Sequence, residues 1–247
     1  MSTFLEHQFL VDSRDVDLTG NARPSAVLGY LQEAATLAAG ALHVSGPETL
    51  AKYNCFWMIV RMWVRLERPL KWNETVTVKT WHRGGKGASS YRDFDLFVNG
   101  ERVGEAVSCW VLADRDTFKL MRLDLLTEFQ GTDGGELCKN IKLHRVKMPN
   151  QLSGSEERTM RYSDTDINGH VNNIKNADFA CDALHLEDKL DGAFVHEFQL
   201  SYSNQCMAGE TIRLELAEED GQYWTRGVGL DGKEKFECLL KLKNVEG

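Results

Sequence analysis

The chain carries no excess of basic residues. Its 29 Lys and Arg face 37 Asp and Glu, a formal net charge of −8, so no cationic surplus is available to meet phosphates and a nucleic-acid partner is not expected. The six cysteines (55, 109, 138, 181, 206, 238) include no Cys-x-x-Cys and no metal-ligand spacing. No apolar run reaches the length that spans a bilayer. The first residues, Met-Ser-Thr-Phe-Leu-Glu-His, lack the basic and apolar regions of a secretory signal. Together these absences lead to the expectation of a cytoplasmic protein with reduced thiols and no membrane span.

What the sequence does contain is a repeat. Residues 164–173 read Asp-Thr-Asp-Ile-Asn-Gly-His-Val-Asn-Asn, and residues 15–24 read Asp-Val-Asp-Leu-Thr-Gly-Asn-Ala-Arg-Pro. Both have Asp-x-Asp, a branched aliphatic, a small polar residue and Gly. Thr19 and Asn21 stand where the later copy has Asn168 and His170. A helix pattern follows each copy. Val27, Leu31, Ala34, Ala38 and Ala41 recur in steps of four and three over about Ser25–Leu42, and Pro24 suits the first turn. Ala177, Cys181 and Leu184 repeat that spacing, with Asn172 or Asn173 placed to cap. Small residues dominate both stripes, so close packing is expected there, with Cys181 as a packing residue.

Strand patterns come next in each half. Trp57–Leu66 leads into Glu74–Trp81, and Val195–Tyr202 leads into Glu210–Leu216. Hairpin turns are expected at Asn99-Gly100 and at Asp231-Gly232. Each half therefore reads strand, turn, helix and about four antiparallel strands, an α+β layer arrangement. The expected limits are 1–120 and 156–247, joined by a polar crossover at 121–155 that is Gly-rich around Gly131–Gly135.

Three chemistries compete for residues 164–173. The Asp-x-Asp-x-Asn-Gly start matches a calcium loop, but such a loop needs a bidentate carboxylate at position twelve, where Lys175 stands, and a helix on each side. Turn chemistry accounts for Asp164 and Gly169, as it does for Asp15 and Gly20. It gives no reason for Asn168 or His170. A catalytic reading uses all of them: carboxylate, amide and imidazole at i, i+2 and i+4, just before helix amides able to hold an oxyanion.

The segment Arg161-Tyr-Ser-Asp-Thr-Asp-Ile-Asn-Gly-His-Val-Asn-Asn-Ile-Lys175 resembles the second-half motif of acyl-acyl carrier protein thioesterases. The resemblance covers most of the chain and implies a tandem hot-dog fold, each unit an antiparallel sheet wrapped around a long helix. It implies hydrolysis of acyl-acyl carrier protein to free fatty acid, with the acylated carrier protein as partner and no metal or organic cofactor. Two chains could pair as a homodimer. The first unit would hold the acyl tail, and the clustered Trp57, Trp63, Trp72, Trp81 and Trp110 would either pack the core or limit the tail's depth.

On this resemblance Asp166, Asn168 and His170 are the catalytic positions. The family's Glu-Cys pair on the following strand is Gln205-Cys206 here, and Gln cannot act as a base. The base role therefore moves towards Asp166, with His170 orienting water or steadying the carbonyl and Asn168 positioning the water. Amides near Asn172, Asn173 and Ile174 would hold the oxyanion. Cys206 is open to two readings, a nucleophile served by His170 or a buried small hydrophobe. The basic run Lys139, Lys142, Arg145 and Lys147 would steer an acidic carrier or serve as a solvated loop. Rival functions are an acyl-CoA thioesterase, a hydratase on the same scaffold and a non-catalytic acyl-binding protein.

Overall fold

A computed structural model describes residues 4–129 and 143–245. The chain forms two compact units that interleave along the sequence. The first comprises Met1–Leu10, Gly29–Val64 and Glu74–Leu143, and the second Val11–Leu28, Arg65–Asn73 and His144–Gly247. Both copies of the repeated turn thus belong to the second unit.

The first unit contains β1 (Phe4–Leu10), most of α1 (Pro24–Ala41), α2 (Gly46–Tyr53), β2 (Cys55–Leu66), β3 (Thr75–Lys86), β4 (Ser89–Val98), β5 (Glu101–Asp114) and the short β6 (Leu120–Met121). Its strands run in the order β1-β3-β4-β5-β2. The β4–β5 hairpin turns at Asn99-Gly100, both with positive φ, as a tight hairpin turn requires. Alternation sets the buried face: Val76 and Val78 of β3 lie beside Phe94 and Leu96 of β4, all without solvent exposure. On α1, Val27, Leu31, Ala34 and Ala38 are buried as the spacing predicts, while Ala41 at the end is exposed. The periodicity did not reveal α2. Its signal was Ser45-x-x-Glu48, where Glu48 accepts from the Ser45 N–H at 2.9 Å and closes a capping box.

The second unit contains β7 (Gly154–Thr159), α3 (Lys175–Ala183), β8 (Ala193–Tyr202), β9 (Thr211–Glu219), β10 (Gln222–Gly229) and β11 (Glu234–Asn244). Their order, β7-β9-β10-β11-β8, repeats that of the first unit strand for strand. The strands β9, β10 and β11 contact α3, whose Ala177, Ala180 and Ala183 are buried and allow the close approach expected of small residues. Phe179 of the same helix is fully buried, with the Arg158 guanidinium 4.0 Å from its ring centre. Phe198, Leu200, Phe236 and Leu240 complete the core, each worth about 1.5–3 kcal/mol of burial.

Several expectations change in the structure. The Asp231-Gly232 turn spans residues 230–233 rather than two residues, because the Gly229 N–H bonds the Lys233 carbonyl. Arg145 is no free steering charge: it pairs with Glu237 at 2.7 Å and also with Glu234. Lys139, Lys142 and the Gly131–Gly135 stretch lie outside the described residues. Trp63 and Trp81 are buried, whereas Trp72 is exposed. Among the described residues, no helix is long and apolar enough to cross a membrane.

Candidate active site

The turn at 164–173 is built from its own backbone. The Asp166 N–H donates to the His170 carbonyl at 2.8 Å, the Gly169 N–H to the Asp166 carbonyl at 3.0 Å, and the Asn172 N–H to the Asp164 carbonyl at 2.8 Å. Gly169 has φ +76°, in the left-handed region that favours glycine. Asp164 is buried, and its carboxylate accepts the Arg161 N–H at 2.7 Å, which anchors the entry to the turn. The Asp164 side chain is therefore structural.

A second segment closes on this turn. The Val171 N–H donates to the Cys206 carbonyl at 2.9 Å, and His170 forms an antiparallel bridge with Met207. Backbone pairing thus brings Gln205 and Cys206 beside His170, in the loop that follows β8 rather than on a strand. Gln205 is exposed and Cys206 is buried. Burial pushes the Cys206 thiol up to about 11, Lys235 opposing the rise and Glu210 adding to it. At neutral pH the thiol stays protonated, which weakens its reading as a nucleophile.

The reactive candidates are only lightly engaged. Among the described residues the Asp166 carboxylate accepts one hydrogen bond, from the Asn168 N–H at 2.8 Å. The His170 ring makes none among the described residues, and Asn168 is exposed. Asp166 and His170 are each half-buried, within reach of solvent and so of a ligand.

The amides before α3 differ from one another. The Asn172 N–H is held by Asp164, and the Ile174 N–H donates to Asn172 Oδ1 at 3.2 Å. Only the Asn173 N–H lacks a partner among the described residues. Of the three amides considered for an oxyanion, Asn173 is the one open to a ligand. Asn172 acts one turn early rather than as the cap itself, because α3 begins at Lys175.

The first copy repeats this frame bond for bond. Asp17 N–H donates to the Asn21 carbonyl at 2.9 Å, Gly20 N–H to Asp17 at 3.1 Å, Arg23 N–H to Asp15 at 2.8 Å, and Ala22 N–H to Leu70 at 2.7 Å. Asn21 bridges Lys71 as His170 bridges Met207. Gly20 has φ +77°. The side chains depart from the match. Asp17 Oδ1 accepts from the Thr19 N–H at 2.8 Å, the Thr19 hydroxyl at 2.6 Å and the Asn21 N–H at 3.3 Å, while Asn21 Nδ2 donates to Thr19 at 2.8 Å. Pro24, at the place of Asn173, has no N–H at all.

A cavity of about 470 Å³ lies within the second unit, with Asp17, Asn21, Arg23, Cys181 and Leu190 among its lining residues. Cys181 continues the helix face of the buried Ala177 and Leu184 and is itself half-buried, lining this cavity. Two cations on the wall are already paired, Arg158 with Asp182 at 2.9 Å and Lys175 with Asp178 at 3.2 Å.

Comparison with known proteins agrees along the chain. The profile of the acyl-ACP thioesterase N-terminal domain matches residues 3–128, and that of the C-terminal domain residues 148–247. A dodecanoyl-[acyl-carrier-protein] hydrolase of Cinnamomum camphora is 27% identical over 83% of this chain and 57% of its own. An oleoyl-acyl carrier protein thioesterase of Coriandrum sativum is 23% identical over 84% and 60%. The chain thus spans about three fifths of the length of these plant relatives. In structure it resembles an acyl-ACP thioesterase of Bacteroides thetaiotaomicron, with TM-score 0.85, 21% identity and coverage of 98% and 100% of the two chains. A 12:0-ACP thioesterase of Umbellularia californica gives TM-score 0.86 and 20% identity, with 99% of each chain covered. At such identities the likeness establishes the fold, and that fold is the α+β tandem hot-dog.

Proposed function

The chain belongs to the acyl-ACP thioesterase family, and on that premise we propose that it hydrolyses acyl-acyl carrier protein to free fatty acid. The observation that carries this reading is the asymmetry between its two equivalent turns. Only the second leaves a carboxylate, an imidazole and a backbone amide available together.

In the proposed reaction a water oxygen attacks the thioester carbonyl carbon, and the Asp166 carboxylate takes up the proton. His170 and Asn168 orient the water and the carbonyl. The Asn173 N–H donates to the oxygen that gains charge. When the C–S bond breaks, the proton returns from Asp166 to the departing thiolate, leaving the carboxylic acid and the carrier's thiol. The chemistry belongs to the second unit in this reading, and the acyl tail is assigned to the first on family resemblance alone. Gln205 cannot supply a base, and the protonated Cys206 thiol favours direct attack by water over a covalent intermediate. We place the protein in the cytoplasm, a setting in keeping with its five unpaired described cysteines.

Thiol release from matched acyl-carrier and acyl-CoA thioesters tests the proposal. Faster turnover of the carrier-bound series is expected. A preference for CoA thioesters would reassign the substrate, and hydration of enoyl thioesters without thiol release would make the protein a hydratase. Binding without any turnover would leave a non-catalytic acyl-binding protein.

A further inference from the structure

The loop at 203–207, which presents Gln205 and Cys206 and pairs with His170, belongs to neither β8 nor β9. Arg145 bonds the Ser203 hydroxyl and the Glu234 carbonyl accepts from the Asn204 side chain, but the densest set of bonds to the loop comes from Lys235 of β11. The Lys235 carbonyl accepts the Ser203 N–H at 2.9 Å and the Asn204 N–H at 3.2 Å. The Lys235 ammonium then reaches back under the loop and donates to the Gln205 carbonyl at 3.0 Å. It also pairs with Glu210 Oε1 at 2.5 Å, and the other oxygen of Glu210 accepts the Met207 N–H at 3.1 Å. Both ends of the Gln205–Met207 stretch are thereby tied to a single ion pair.

We propose that Lys235 and Glu210 are positioning residues, which fix this loop and through it set the place of His170. Lys235 is only 8% exposed, and withdrawing an ammonium from water is unfavourable unless it is paired and hydrogen-bonded. A well-packed apolar side chain of similar volume would serve the core as well or better. Gly229 leaves room beside the pair: a Cβ there would lie 2.7 Å from Asp231 Oδ1, 3.0 Å from Lys235 Cε and 3.4 Å from Glu210 Oε1.

The first copy shows that the turn itself does not need this ion pair. There the equivalent segment pairs with its turn through the same backbone bonds, at Leu70 and Lys71. Pro69 stands in place of Gln205 and fixes its own φ, and Leu70, buried, stands in place of Cys206. At the offset set by the two hairpin turns, Lys235 corresponds to Val103, an apolar core residue. The buried ammonium of Lys235 therefore accompanies the copy that keeps His170, while beside the other copy Val103 stands at its place and Glu74 at the place of Glu210.

This inference rests on the thioesterase reading for its kinetic arm only. Lys235→Met is expected to lower kcat on the order of 10²-fold, the loss that follows a displacement of about 1 Å at a reacting group. KM should stay within a factor of about two, since no substrate contact is removed. Lys235→Arg, which keeps the charge and the pair, should restore most of the rate. An arm independent of turnover follows the ring resonances of the seven histidines in isotope-labelled protein, with His170→Ala identifying the peak. In Lys235→Met the His170 resonance should move while the other six hold, and Lys235→Arg should return it. An unmoved His170 resonance, or an equal shift of all seven, overturns the proposal. If Lys235→Met does not fold, Glu210→Gln carries the same two readouts with the volume preserved. Should the wild type release no thiol from any thioester, the function fails, and the resonance arm still decides the positioning role.

Discussion

The turns at 15–24 and 164–173 have the same backbone and differ in what their side chains are bonded to. In the first, Thr19 and Asn21 close a small network on Asp17, whose Oδ1 accepts three donors. In the second, replacing Thr by Asn and Asn by His leaves Asp166 with one donor and His170 with none among the described residues. Each side-chain hydrogen bond forgone is worth about 0.5–1.5 kcal/mol, more when a carboxylate accepts it. The second turn is therefore the less self-satisfied of the two, as expected where side chains are reserved for a ligand. An Asp shared by both copies carries no information by type alone; its partners distinguish them.

Substitutions that treat the copies alike sharpen this contrast. The largest effect is expected at the carboxylate and the imidazole. Asp166→Asn and His170→Ala should each reduce kcat by about 10²–10⁴-fold, and Asp17→Asn and Asn21→Ala should leave it near wild type. Steady-state hydrolysis with circular dichroism as a fold check reads all four; equal losses in both copies would erase the distinction. Next comes the amide. Asn173→Pro, which copies Pro24 into the second turn, removes one N–H and should cost on the order of 10²-fold in kcat, with little change in KM. An unaffected rate would take Asn173 out of the oxyanion role.

Cys206→Ala should alter turnover by no more than about 3-fold, since the missing thiol reaches the direct route only through packing. A loss comparable with His170→Ala would revive the covalent route. The smallest effect falls on stability. Gly20→Ala and Gly169→Ala place a Cβ in open space but at positive φ, so each should lose about 1–2 kcal/mol of unfolding free energy by chemical denaturation. Similar losses from both would verify the shared frame, and only Gly169→Ala should also slow hydrolysis.

Much of the architecture was readable because it rests on local chemistry and period. The Asp-x-Asp…Gly repeat, the stripes of α1 and α3 and the Asn99-Gly100 turn depend on residues close in sequence, and so did the fold class once the repeat was found. The boundaries 1–120 and 156–247 divide the chain by order along the sequence, and by spatial contacts residues 11–28 and 65–73 group with the second unit. The motif at 164–173 marked Asp166, Asn168 and His170 as candidates, and the family resemblance added Gln205 and Cys206. It could not separate Asn173 from Asn172 and Ile174, because their availability depends on whether Asp164 and the Asn172 side chain already hold them. Nor could it reveal Lys235, which stands far along the chain and reaches Gln205 only after β11 has paired with β8.

By itself the sequence determined that two copies of one α+β unit exist and that reactive residue types survive in one of them. Residue type and spacing are properties of the chain, and they act over a few bonds or one helical turn. The tertiary structure decided which of those groups remain available, since that depends on how each donor and acceptor is satisfied by neighbours distant in sequence. Asp17 and Asp166 are the same residue in the same turn, and their surroundings alone make one a structural brace and the other a candidate base.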